Sequence, residues 1–161
     1  MNRDDLLFLT ERVERQLANL LEDFPADRWL YQPFAGANHA LWNVGHLGVV
    51  ARNMAARLRG EPVPNDQWGE LFGKGSTPQT DGAAGLPVAE VLEFSAKSRA
   101  SFIEAIRTVP EARFADEVPE NVRSIAPTFG RLVAVMAAHA ALHVGQFAVL
   151  RKSLGLNPKM G

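Results

Sequence analysis

Between Leu132 and Val149 the chain carries no charged residue, yet this run contains two histidines, in HAALHVGQ, four positions apart. Such a run suits either a bilayer span, which needs roughly 20 apolar residues, or the central helix of a folded domain. His139, His143 and Gln146 interrupt it, much of the remainder is alanine, and no other segment matches it. It therefore reads as a helix surrounded by protein in a bundle, with no membrane as partner. At 100° per residue the two imidazoles leave adjacent turns of one face. Leu132, Met136, His139, His143, Gln146 and Leu150 follow at steps of three or four, so that face is an apolar stripe. Two inward imidazoles each need hydrogen-bond partners, and protonating both is costly, whereas a divalent cation uses two neutral nitrogens at once. Spacing alone leaves core or surface histidines without metal as an equal reading of H-x-x-x-H.

The rest of the chain sets the context. It has 161 residues, 47% apolar and 22% charged, the balance of one globular domain spanning 1–161. A net charge of −1 with interspersed signs offers no electrostatic footprint for nucleic acid. Cysteine is absent, which removes disulfides, thiolate ligands and a cysteine nucleophile together, leaving His, Asp and Glu as metal-binding side chains. MNRDDLLFLTERVERQ places charges where a signal peptide would be apolar, so a cytoplasmic location is expected.

Four long helices and no strands are predicted, an all-α class. The first runs from Asp4 to Phe24 on the spacing of Leu6, Leu9, Val13, Leu17, Leu20 and Leu21. A proline-punctuated connection follows, with a short turn at Ala26 to Leu30. The second starts at Asn38 or His39, with Asn38 as the expected N-cap and Gly60 as the stop. Residues 61–86 read as a surface loop with one turn at Asp66 to Phe72. The third helix runs from Pro87 to about Val109. After the connection PEARFADEVPENVRSIAP, Thr128 is placed to cap a last helix reaching about Leu154, with Gly155 at its end. Two long connections permit orders other than up-down-up-down.

A mononuclear site needs a third ligand, and the remaining histidines, His39 and His46, both belong to the second helix. His46 sits in the helix body beside Leu47 and Val50, with Gly45 and Gly48 allowing close approach of another helix. His39 stands at the helix entrance and suits a cap or a supporting role. His46, His139 and His143 are thus the candidate metal ligands, although for His46 in isolation a satisfied core histidine is the better reading. Trp42, one turn from His46, is read as core in preference to a substrate wall. Gln146, one turn beyond His143, is either an ordinary polar position or orients a ligand or bound water. Met54 and Met136 are read as packing. Other chemistries fail: Ala140 stands where a zinc protease needs its glutamate, GKGST lacks the phosphate-loop spacing and a preceding strand, and there is no G-x-S-x-G or pair of Glu-x-x-His motifs.

With ALWNVGHL on its second helix, HAALHVGQ on its fourth, and large loops between, nearly the whole chain resembles the DinB-like superfamily of four-helix-bundle metalloenzymes. The resemblance implies an up-down-down-up bundle and a divalent metal, often nickel or zinc, held by the residues matching His46, His139 and His143. It also implies frequent homodimers and a relation to thiol-dependent S-transferases and a mycothiol-dependent maleylpyruvate isomerase. His39 matches no part of that ligand motif. Three neutral imidazoles leave a position open for water or substrate, as in catalytic sites. The leading expectation is a metal-dependent transferase that activates a low-molecular-weight thiol as co-substrate and adds it to a small-molecule electrophile. A metal-dependent hydrolase and a non-catalytic, metal-stabilised or ligand-binding bundle are the alternatives. Substrate choice is expected to lie in the loops 73–85 and 113–127.

Overall fold

A computed structural model describes residues 1–79 and 85–159. Helix α1, Arg3–Leu21, starts where the Asn2 side chain accepts a hydrogen bond from the Asp5 amide, and Asp4 and Asp5 favour the positive end of its dipole. Its inward face is Leu6, Thr10, Leu17 and Leu20, with the Thr10 hydroxyl satisfied on the Leu6 carbonyl. It stops three residues short of the expected Phe24, where the chain turns before Pro25. Helix α2, Ala40–Arg59, ends at Gly60 with φ +75°, where the Glu61 amide reaches the Ala56 carbonyl and the Gly60 amide the Arg57 carbonyl. This left-handed C-terminal motif favours glycine, as the sequence required. The expected turn at residues 66–72 is helix α3, Gln67–Phe72, capped by Asp66. Helix α4 is Val88–Thr108.

The connection 110–127, for which no element was expected, folds into a 3₁₀ turn at Glu111–Ala115 and a short helix α5, Glu120–Arg123. Pro110 and Pro119 precede them with φ near −54°, which preorganises each first turn, but both elements are too short to leave a periodicity. Helix α6, Phe129–Ser153, follows Thr128, whose side chain makes no capping bond, and closes at Gly155 with the same paired carbonyl contacts as α2. By length and composition α6 is apolar enough to cross a membrane. Here its Leu132, Val133, Phe147 and Leu150 are buried in the core of the bundle.

Contacts between helices give their directions. Glu14 and Glu11 of α1 pair with Arg99 and Arg107 of α4 at 2.7 and 2.5 Å, so these two helices run antiparallel. Arg151 of α6, fully buried, donates to the Leu20 carbonyl at 2.8 Å and to Asp23 at 2.7 Å, which sets α6 parallel to α1. Ser95 of α4 donates to the Val44 carbonyl and Arg59 to Ser101, so α2 and α4 are parallel. The order is up-down-down-up, with α1 and α2 across a diagonal, which explains the long chain between them. Gly48 permits the α2–α4 approach: a Cβ there would lie 2.8 Å from the Ser95 Cα. Two clusters of buried side chains fill the interior, one around Leu20, Trp42, Phe72 and Phe147, the other around Leu6, Met54, Phe102 and Leu132. On α2 and α6 the histidines fall between them.

Candidate metal centre

Helices α2 and α6 run antiparallel and bring three imidazoles together. The Nε2 atom of His139 lies 3.4 Å from Nε2 of His46 and 3.3 Å from Nε2 of His143, and one ligand nitrogen from each residue lies within 4.8 Å of the others. The outward nitrogens fix the tautomers. His46 Nδ1–H donates to the Phe72 carbonyl at 2.7 Å, and because a carbonyl only accepts, the proton sits on Nδ1 and Nε2 presents a lone pair. His143 Nδ1–H donates in the same way to Asn43 Oδ1 at 2.7 Å. The Asn43 amide group in turn donates to the His39 carbonyl at 3.2 Å, which leaves only its oxygen to face His143. Among the described residues, His139 Nδ1 is buried without a hydrogen-bond partner.

This donor set fits a cation. Two lone pairs converge on the Nε2 of a third ring, and its single proton cannot serve both, whereas one divalent ion accepts all three nitrogens. Burial, first of all, holds His46, His139 and His143 below the ordinary imidazole range, and for His143 the neighbouring rings of His46 and His139 add to it, bringing the value down to about 3. The rings are therefore neutral at neutral pH, the form that binds metal.

Trp42 is buried, as expected, but it also forms a wall of the site. Its ring stacks on His46 with centroids 4.7 Å apart and planes 9° from parallel, and its indole N–H donates to Ser76 Oγ at 2.9 Å. The expected cap at Asn38 is displaced by one residue. His39 caps α2, its Nδ1 accepting from the Trp42 amide, while Nε2–H donates to the Gln79 carbonyl at 2.8 Å. An imidazole in the extended backbone position before the first turn reaches that amide, and Asn38 instead bonds Gln146 at 3.4 Å. With both nitrogens engaged, His39 is no ligand; it supports the site through its carbonyl on Asn43. Gln146 stands outside the cluster, its Oε1 taken by Asn38.

Gly45 is required by the same arrangement. A Cβ there would fall 2.4 Å from the Phe72 ring, so only glycine lets Phe72 lie on α2 with its carbonyl at His46.

His46 and His139 face a cleft of about 620 Å³, also lined by Met54, Arg57, Lys74, Val122, Leu132 and Met136. Met54 and Met136, read from the sequence as packing alone, thus also form its apolar wall. Gly73 and Lys74 bring the 73–85 loop to its edge, and Val122 and Ile125 bring the 113–127 connection; residues 80–84 of the first loop lie outside the described residues.

A family model described as the DinB superfamily matches residues 9–147. The chain belongs to the DinB superfamily. No curated protein matches it. In this DinB-superfamily chain the side chain that sequence reasoning missed is Asn43. Its signal was present: a carboxamide three residues before His46, in the apolar first half of α2, must find buried partners. Replacing Asn43 by alanine is expected to weaken divalent-metal affinity about 10- to 100-fold, the range for hydrogen-bond partners of metal-bound histidines. A competition titration against a chromophoric chelator measures it, and unchanged affinity would show that His143 is oriented by packing alone.

Proposed function

We propose that this DinB-superfamily protein is a metal-dependent enzyme that activates a low-molecular-weight thiol, or water, for attack on a small-molecule electrophile. The observation that carries the reading is the convergence of three Nε2 atoms, those of His46 and His143 with their tautomers set from behind, beside a cleft that His46 and His139 line. His46, His139 and His143 would hold the ion, nickel or zinc by the family resemblance, both of which imidazole sets suit. A divalent ion there supplies Lewis acidity, lowering the pKa of a bound thiol or water so that it is nucleophilic at neutral pH.

The chain's own residues do the rest. Phe72 and Asn43 keep the protons of His46 and His143 on Nδ1, away from the reacting face. Trp42 shields one face of His46, so access is from the cleft side. Met54, Leu132 and Met136 exclude water from a bound apolar substrate. The chain contains no cysteine, so the attacking sulfur belongs to a co-substrate.

Metal analysis of untagged protein is expected to give one divalent ion per chain, with a cobalt-substituted form showing the absorption of a low-coordinate site. Chelation is expected to leave the helical circular dichroism at 25 °C intact while removing turnover of a thiol with a model electrophile. Loss of the fold on chelation would favour a metal whose role is structural, and a protein that takes up no metal would end the proposal.

A further inference from the structure

Among the described residues, the cleft in front of the histidines is one-signed: its charged lining residues are Arg57 and Lys74, and neither meets a carboxylate. Every other arginine whose guanidinium is drawn into the bundle has an acceptor to spend it on: Arg52 pairs with Asp66, Arg99 with Glu14, and Arg151 with Asp23 and two carbonyls. Arg57 has one long contact, 3.4 Å from Nη1 to the Asn53 carbonyl one turn back on α2. Burial lowers its pKa, the mark of a cation partly withdrawn from water without compensation. An unpaired guanidinium on an apolar wall costs stability in the empty protein, and that cost is recovered when an anionic oxygen group arrives.

We infer that the cleft recognises an anionic small molecule, whose carboxylate or phosphate is held by Arg57 and Lys74 while its apolar body reaches the three-histidine face. The spacing sets the molecule's length. Asn53, to which the Arg57 head group folds back, follows His46 by seven residues, about 10 Å along a helix axis. The ligand therefore has its charge at one end, its reacting atom at the other, and an apolar stretch between, matching Val49, Met54, Leu132 and Met136 on the walls. Arg57 and Lys74 are binding residues that discriminate by charge. The inference rests on the proposed use of this cleft as the way to the metal face, but its first test needs no metal.

In that test the affinities of octanoate, octyl phosphate and 1-octanol are compared on metal-stripped protein by calorimetry. At least one of the two anions is expected to bind about tenfold or more tightly than the alcohol, and the tighter of the two identifies the head group. Arg57→Met is expected to abolish the preference, and Lys74→Met, at an exposed position, to reduce it severalfold without disturbing the fold; thermal unfolding verifies that both variants fold. In the second arm, 8-mercaptooctanoate and 8-mercapto-1-octanol are titrated into cobalt-loaded protein and followed by the thiolate charge-transfer band, with the same preference expected. Equal affinities for the anions and the alcohol on wild-type protein, or a preference that survives both substitutions, overturns the anion site. A charge preference in a protein that binds no metal leaves the anion site standing and removes the enzymatic reading alone.

Discussion

His143→Ala removes metal binding and turnover together. The substitution deletes one of three nitrogens and also strands Asn43 Oδ1, which the His143 Nδ1–H now satisfies. The fall in affinity is expected to exceed the roughly 100-fold at the upper end for losing a partner of a ligand, so the variant purifies without stoichiometric metal. His46→Ala and His139→Ala behave alike, whereas the Asn43 substitution stops short because all three nitrogens remain. The apo forms separate ligation from folding: metal-stripped His143→Ala and metal-stripped wild-type protein are expected to melt within a few degrees of each other. Stoichiometric metal in His143→Ala would dismantle the centre.

Acid is expected to unfold the metal-stripped protein over the range where histidine titrates. Burial is the first cause that holds His39, His46, His139 and His143 below their ordinary value, with His143 at about 3. In the unfolded chain each takes up a proton near pH 6.5. Below that pH the unfolded state binds more protons than the folded one, so the stability gained from neutral burial is complete above about 6.5 and declines as the pH falls. Each group contributes up to about 1.4 kcal/mol per pH unit, and for His143 the decline continues toward its folded value. Against a typical domain stability of about 5–15 kcal/mol, several such groups acting together are decisive. Carboxylates act lower; Asp23, held down to about 2 by hydrogen bonds from Arg151 and then Lys159, plays no part above pH 5. Thermal melts in chelator are expected to lose more than 10 °C between pH 7 and pH 5, and a flat profile would show that the rings protonate freely in place.

The long helices were legible because each carries an apolar period, and α2 and α6 also end at the glycines the sequence marks, Gly60 and Gly155. His46, His139 and His143 were legible because a helix converts spacing into direction, and imidazoles on an apolar stripe call for an explanation. The second layer was not. Phe72 contributes to the site through its carbonyl, which has no residue identity, and Asn43 through a hydrogen bond across two helices; neither is encoded in local spacing. His39 was placed as a cap or supporting group from its position at the helix entrance, but its bond to the Gln79 carbonyl depends on where a loop returns. The charge of the cleft was equally hidden, because Lys74 comes to the cleft only after α3 docks, and nothing in local spacing shows that Arg57, on the same helix as His46, meets no carboxylate.

That docking joins two events. A helix of six residues ends with a phenylalanine whose ring seals against Gly45 and whose carbonyl sets His46. A displacement of α3 through the connection at residues 61–66 would therefore release the back of the His46 ring. In cobalt-loaded protein, nicking or lengthening that connection should change the colour of the solution before the helical signal changes, making the ion an optical gauge of a segment that never touches it.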